Sequence, residues 1–467
     1  MVEIQLKLFR ENEAEDYLQG AIEVGNWLET LAVPTNSGKI WKTRPDAPDG
    51  FGESGSLFGA KSLYAGSAGI GLFFTRLYEA TLDRKWLALA DDAAEHILAT
   101  EVGADWYAET INSEPAGVFK VTGWSTGVFS GPVGEALFLE ELFRVRKRLA
   151  YRDFFLRAAD ALIAAAKEDE AGIHWTHEQD ISGDGGLAAF LLFVYRSTGI
   201  KKYLEAALKA VAFIAQGGTP APNGGKFWQL LDLDLLNFGF PQGSNFPGWS
   251  HGTAGIAWLF AAAYATTKAE EYLELAKEAV AYLEGISVGG EAGRLIPYLD
   301  NRTEGPSYDK FYLSSCHGPV GSSLPFRLLY EATLDEAYKK FWLELSRGIV
   351  RAGAPEKRSW GFWNTQCLCC GTAGILEHFV KTYEASGEEE FLGYARRTAD
   401  ILLATSDVRT PGIKRWYDGW SRKDPDQVAA YSGLYVGAAG GGFSLLGLYA
   451  ALSGKKLATT AFEYLFF

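Results

Sequence analysis

The chain has 467 residues, 48% of them hydrophobic and 14% aromatic, enough for a large core. With 58 acidic against 44 basic residues it carries a net charge of −14, which excludes nucleic acid and anionic membrane surfaces as natural partners. Its four cysteines, three of them within residues 367–370, are too crowded for a disulfide framework, and metal binding in a reducing compartment is the expected use.

The first residues, Met1-Val2-Glu3-Ile4-Gln5-Leu6-Lys7, lack the basic head and apolar run of a signal peptide. No window reaches roughly 18 uninterrupted apolar residues, the length of a membrane span. A cytoplasmic protein is expected. Residues 1–60 contain one amphipathic helix, Glu15 to Ala32, expected on the outside of the fold. A surface loop follows through Pro45–Ser56, and a second is expected over Gly217–Gly225.

From residue 61 onward a Gly-x-x-Gly element recurs seven times, at Gly66/Gly69, Gly131/Gly134, Gly183/Gly186, Gly252/Gly255, Gly318/Gly321, Gly371/Gly374 and Gly437/Gly440. The first glycines lie 65, 52, 69, 66, 53 and 66 residues apart. After Gly69 comes an apolar stretch, Ile70 to Tyr78, then a polar break at Asp83-Arg84-Lys85, then Trp86 to Leu98 with a single apolar stripe. The same succession follows Leu187, Ile256, Leu324 and Ile375. The first helix of each pair should be buried and the second half-exposed. The expected fold is all-α: an α/α toroid of seven helical hairpins, one domain over 1–467, with parallel inner helices whose glycine-marked starts share one end. Small residues there let the chain turn and helix ends crowd together.

Such helix starts turn unpaired N–H groups and positive dipole ends towards one mouth, where a cysteine is biased towards thiolate. When the copies are overlaid, Ser250, Cys316 and Cys369 share one position, and His251, His317 and Cys370 share the next. Cys316, Cys369 and Cys370 can hold zinc at about 2.3 Å per sulfur. The fourth tetrahedral place is either open, as in catalytic zinc, or closed by Cys367; three ligands within four residues of one loop disfavour closure. Three thiolates offset the charge of the metal, so it suits an incoming thiol better than water, and thiol alkylation is expected rather than hydrolysis. His251 and His317, beside these positions, are acid–base candidates, with helix capping as the plainer alternative. His174, His177 and Asp180 fall ahead of the third copy and can line the opening. His96 and His378 lie within helical patterns and read as structural. Trp124, Trp249, Trp360 and Trp363 precede copies, and either wall a peptide groove or pack the core.

In content and order, Trp249-Ser250-His251-Gly252, Cys316-His317-Gly318 and Cys369-Cys370-Gly371 resemble the lanthionine synthetase C-like family, over about Tyr64 to Gly442. The resemblance implies a zinc ion held by Cys316 of the fifth repeat and the Cys369–Cys370 pair of the sixth. It also implies addition of cysteine thiols to dehydroalanine or dehydrobutyrine, closing thioether rings in peptides. The family's usual sixth-repeat pair is Cys-His, so Cys370 marks a Cys-Cys-Gly variant. The family's fourth-repeat histidine falls on His251, implied to protonate the enolate; His317 stands where many members have an aromatic residue. The family's third-repeat acid is matched by Asp180, one position closer to the glycine than usual. Its arginine four residues before the fifth-repeat cysteine is matched by Tyr312, with Lys310 the nearest base. Lys310, Tyr312, Trp249 and His177 are the expected substrate contacts. The dehydratase region of bifunctional relatives has no counterpart in residues 1–60, so a separate dehydratase is the expected partner and a dehydrated Ser/Thr/Cys-containing peptide the expected substrate.

Three alternatives stand beside this. Relatives in animals are associated with glutathione, so the thiol can be a small molecule. α/α toroids also host glycosidases and polysaccharide lyases, and 14 tryptophans suit sugar stacking, but the cysteine trio has no task there. A peptide-binding module with structural zinc is the third.

Overall fold

In a computed structural model, the chain is described over residues 13–46, 59–101, 127–176, 178–229, 244–301, 305–306, 311–357, 365–419 and 428–457. All seven leading glycines of the repeat stand at helix N-caps. The inner helices they open are α2 (Ser67–Thr81), α4 (Pro132–Arg146), α6 (Asp184–Thr198), α8 (Thr253–Thr267), α10 (Pro319–Ser322) continued by α11 (Leu324–Thr333), α13 (Thr372–Ser386) and α15 (Ala438–Ser453). Each but the last is followed by a partner: α3 (Arg84–Ala99), α5 (Leu149–Ala164), α7 (Lys201–Gln216), α9 (Glu270–Ile286), α12 (Glu336–Arg351) and α14 (Glu389–Ala404). The leading helix α1 (Glu13–Thr30) packs along α15, so the first helix of the chain is the outer partner of the last inner one. Inner helix α15 in turn packs on α2 and closes the ring. The architecture is the all-α double ring.

The two rings differ as their sequences require. In α8 every residue from Thr253 to Ala263 is buried. In α7 only one stripe is: Tyr203, Ala206, Ala207, Ala210, Val211 and Ile214, a helical three-and-four spacing. Burying side chains such as Val211 and Ile214 stabilises the fold by roughly 1.5–3 kcal/mol each.

The repeated glycines are required by close approach rather than by unusual dihedrals. Gly371 has φ −139° and ψ −164°, extended values open to any residue. A Cβ there, however, would come within 2.6 Å of Thr365 Oγ1 and 2.7 Å of the Cys367 amide nitrogen. At Gly374 a Cβ would collide with the Leu368 carbonyl oxygen, and at Gly321 with that of Ser315. In this way each cysteine-bearing loop lies directly on the first turn of its own inner helix.

The far ends of the inner helices show the opposite rule. All seven terminate in a left-handed residue: Leu82, Lys147, Gly199, Lys268, Leu334, Gly387 and Gly454. Three repeats use glycine there, while Leu334 sits at φ 59° with 73% of its surface exposed. A left-handed non-glycine residue costs roughly 1–2 kcal/mol, and glycine costs roughly 0.5–1 kcal/mol of chain entropy. Leu334→Gly is therefore expected to stabilise the protein by up to about 1 kcal/mol, read as a higher urea midpoint; a lower midpoint would show that the leucine is held by contacts of its own.

The tryptophans have a shared structural task. The indole N–H groups of Trp41, Trp175, Trp228 and Trp416 donate to the carbonyls of Leu28, Leu162, Ile214 and Leu402 at 2.9, 2.8, 2.7 and 2.8 Å. Each acceptor lies in the last turn of an outer helix, where carbonyls lack helical partners. Four of the tryptophans that suit sugar stacking by number are thus committed to the scaffold.

Two local expectations are refined. Helix Glu15–Ala32 is observed as Glu13–Thr30, and the surface loop expected over Gly217–Gly225 begins with Thr219–Pro220, which pairs antiparallel with Lys226–Phe227 just beyond it. Residues 47–58 of the other expected loop lie outside the described residues. The fifth inner helix is broken at Ser323, because Pro325 has no N–H to continue the ladder. Among the described residues no helix is long and apolar enough to cross a membrane.

Candidate metal centre

The residue two before each leading glycine (Tyr64, Phe129, Ile181, Ser250, Cys316, Cys369 and Tyr435) forms a belt around the mouth of the ring. Its members are tied loop to loop by backbone hydrogen bonds. Tyr64 donates to Phe129 at 2.9 Å, Tyr435 to Tyr64 at 2.8 Å, Cys369 to Tyr435 at 3.0 Å, and Ser250 to Cys316 at 2.9 Å. The two cysteine loops are clamped further. The Ser315 N–H donates to the Cys369 carbonyl at 3.0 Å, Ser315 Oγ to Leu368 at 3.0 Å, and Ser314 Oγ to Gly371 at 3.1 Å.

This clamp brings three sulfurs together. Cys316, Cys369 and Cys370 have their Sγ atoms within 4.8 Å of one another, with Cys316 to Cys370 at 3.2 Å and Cys370 to Cys369 at 3.4 Å. Tetrahedral zinc with bonds of about 2.3 Å needs sulfurs about 3.8 Å apart, so the donor set fits the ion after a small outward movement. Cys367 lies outside this cluster: its sulfur approaches Thr365 Oγ1 at 3.5 Å and accepts the Cys370 amide N–H at 3.4 Å. All four cysteines are free. Thiol hydrogen bonds from Cys369 and Cys370 hold the Cys316 sulfur well below the usual thiol range, at about 5, and the same interactions with burial push Cys369 and Cys370 up. Burial pushes the Cys367 thiol up as well.

Beside the sulfurs, His317 is buried among aromatic rings. Its centroid lies 4.8 Å from Phe246, 4.9 Å from Tyr298 and 5.3 Å from Tyr312. Tyr312 is itself stacked on Tyr298 at 5.0 Å. His251 follows at 5.4 Å from His317, partly exposed, with Nδ1 3.4 Å from Asp180 Oδ2. Asp180 uses its other oxygen, Oδ1, to accept the N–H groups of Ser182 and Gly183 at 2.9 and 3.0 Å, which fixes it at the start of α6. The structure thus brings Asp180, His251, His317, Tyr312 and the three cysteines into one row. Trp249 is buried and meets Phe129 edge-on at 6.4 Å. His378, bonded to Ser346 Oγ at 2.9 Å and pushed down to about 3 by burial, is a core residue; His96 meets Thr35 Oγ1 at 3.2 Å. Lys310, His177, Trp124, Trp360 and Trp363 lie outside the described residues.

Sequence reasoning passed over Tyr64, Tyr435, Phe246 and Tyr298. The first two could have been found, because they occupy the same copy position as Cys316 and Cys369. Phe246 and Tyr298 belong to loops between helices, where no repeat marks them.

A double ring of helical hairpins with a trithiol cluster at its mouth defines a class, and the sequence comparison names it. The model of the family "Lanthionine synthetase C-like protein" matches residues 58–458, and the chain belongs to that family. Among solved structures, nisin cyclase superposes with a TM-score of 0.60 at 15% identity, covering 88% of this chain and 92% of its own, which shows a shared fold. The Lin0763 protein from Listeria innocua follows at 0.47 and 13% identity, covering 95% of this chain and 99% of its own. The α-1,6-mannanase GH76A from Salegentibacter sp. HEL1_6 also reaches 0.47 at 13% identity, covering 94% and 100%. No curated protein matches the sequence.

Proposed function

We propose that the protein is a zinc-dependent thioether-forming cyclase that adds cysteine thiols to dehydroalanine or dehydrobutyrine in a dehydrated peptide. One observation carries this reading: three thiols from two repeats converge while Cys367 stays out of the cluster, which leaves a fourth ligand place for a substrate. Cys316, Cys369 and Cys370 would hold the ion, which when bound would lower the pKa of a peptide thiol in that fourth place and keep it nucleophilic.

The chain's own residues account for the rest. The substrate sulfur forms a bond to the β-carbon, the double-bond electron pair moves onto the α-carbon and its carbonyl, and a proton must arrive at the α-carbon. His251 is the donor of choice over His317, because it is partly exposed at the mouth and His317 is enclosed by rings. Asp180 orients it through Nδ1, which leaves Nε2 as the nitrogen that exchanges the proton. The thiol gives up one proton and the α-carbon gains one, so no external reductant is needed. The free thiols favour a reducing, cytoplasmic setting, with a separate dehydratase supplying the unsaturated residues.

The test is a synthetic peptide bearing one dehydroalanine and one cysteine. Cyclisation leaves the mass unchanged, so remaining thiols are counted by N-ethylmaleimide labelling and mass spectrometry. Loss of the labelled species with the zinc-loaded protein is expected, and His251→Ala should slow it by about 10²- to 10⁴-fold. Adding glutathione distinguishes the small-thiol reading, since its adduct is heavier. If neither product forms, the proposal fails.

A further inference from the structure

We infer that the end of the ring opposite the metal centre is a docking face for a second copy of this chain, held base to base by complementary charge and exposed apolar side chains. The inference does not depend on the zinc reading.

This end is built from the seven turns that close the inner helices, and their charges are sorted around the ring. The turns of the seventh, first, second and third repeats carry Lys455-Lys456, Arg84-Lys85, Arg146-Lys147-Arg148 and Lys201-Lys202. Those of the fifth and sixth carry Asp335-Glu336 and Glu388-Glu389-Glu390, and the fourth mixes Lys268 with Glu270-Glu271. Some of these charges are spent within the chain. Asp83 and Asp335 cap α3 and α12; Arg146 pairs with Asp91, Lys202 with Asp160, and Arg347 with both Glu388 and Glu390. Arg84, Lys147, Lys201 and Lys456 on one side, with Glu336 and Glu389 on the other, are exposed and form no ion pair among the described residues. Apolar surface gathers at the same end. Of the seven large hydrophobic side chains exposed among the described residues, four stand in these turns: Leu82, Leu149, Ile200 and Leu334.

A face with a basic arc, an opposing acidic arc and apolar side chains in both suits a copy of itself. An anionic membrane or an acidic peptide would be drawn to the basic arc but repelled by Glu336 and Glu389 on the same face. A two-fold axis in the plane of this face makes it self-complementary. With the axis through the turn of the seventh repeat, the first repeat meets the partner's sixth, the second its fifth and the third its fourth. Arg84 then faces Glu389 of the partner subunit, Lys147 faces Glu336 of the partner subunit, and Leu149 faces Leu334 of the partner subunit. Only Lys456, on the axis, meets its like. Inner helices spaced about 10 Å apart and flanked by outer ones make a face about 40 Å across, more than the ~800 Å² per partner that a stable interface buries. Both mouths point outward, so pairing leaves each metal centre open to a peptide.

Sedimentation equilibrium on the 51.0 kDa chain should show a dimer at micromolar concentration that dissociates as salt rises from about 0.1 to about 1 M, where the screening length falls to about 3 Å. The stabilisation expected of Leu334→Gly is that of the dissociated chain, measured at dilution. Two charge-reversed variants make the test specific: Arg84→Glu with Lys147→Glu turns the whole face acidic, and Glu336→Lys with Glu389→Lys turns it basic. Each alone should weaken self-association by at least about 100-fold while keeping the wild-type circular dichroism. Mixing the two should restore a dimer containing one of each, which a misfolded variant could not do. A wild-type chain that stays monomeric, reversals that leave its dimer intact, or a mixture that does not reassociate would overturn the inference. So would a monomer that binds phosphatidylserine vesicles, since the face would then belong to a membrane.

Discussion

Cys316→Ala is expected to lose zinc and, with it, thioether formation. Zinc held by four structural ligands is bound by roughly 10–16 kcal/mol, so one thiolate is worth on the order of 3–4 kcal/mol, or about 10²–10³ in affinity. The loss should reach that size, because Cys316 is the one ligand from its loop while Cys369 and Cys370 are neighbours on another. Two adjacent thiolates cannot replace a third that closes the site from across a repeat boundary. The fold should survive the change, since the two loops are clamped by Ser314 and Ser315 independently of the sulfurs. Cys367→Ala is the matched control. Its sulfur is turned to Thr365 and to the Cys370 amide, so zinc content should stay at one per chain. Measured zinc per protein after dialysis decides: retention in Cys316→Ala contradicts the trithiol site, and loss in Cys367→Ala converts it into a closed four-sulfur site.

Much of this centre was legible before any coordinates, for a physical reason. A ring repeats its contacts, so the close approach that excludes a Cβ at Gly374 recurs at Gly321 and leaves a periodic mark. Overlaying the copies then placed Cys316 and Cys369 at equivalent points, which the ring geometry brings together. What escaped was set by tertiary contact alone. The belt position of Tyr64 was in plain view, but its link through Tyr435 to Cys369 depends on the ring closing through α15 and α2. The cage of Phe246 and Tyr298 around His317 comes from irregular loops, where neither a period of 3.6 nor a period of 2 points to a partner.

Ring closure has a second signature, and Arg76→Met is expected to expose it. Arg76 on α2 is 2% exposed and Glu377 on α13 fully buried, with Nη2 and Oε1 3.8 Å apart. The guanidinium also lies 4.1 Å over the ring of Phe443 on α15. The pair thus joins the first, sixth and seventh repeats. Gly447 on α15 makes room for it, since a Cβ there would come within 2.9 Å of Glu377 Oε2 and 3.3 Å of Arg76 Nη2. Removing one partner of a buried pair strands the other in a medium that cannot solvate it, at a cost of roughly 3–5 kcal/mol, whereas replacing both by apolar groups is often neutral or stabilising. Arg76→Met and Glu377→Leu should each lower the urea midpoint sharply, and the double variant should be less unstable than the sum of the two single changes. A double variant as unstable as the sum of the singles would mean that the pair is held by further polar contacts, not chiefly by each other. If instead either single change shifts stability by less than about 1 kcal/mol, the charges are solvated and the ring is closed by apolar packing of α1, α15 and α2 alone.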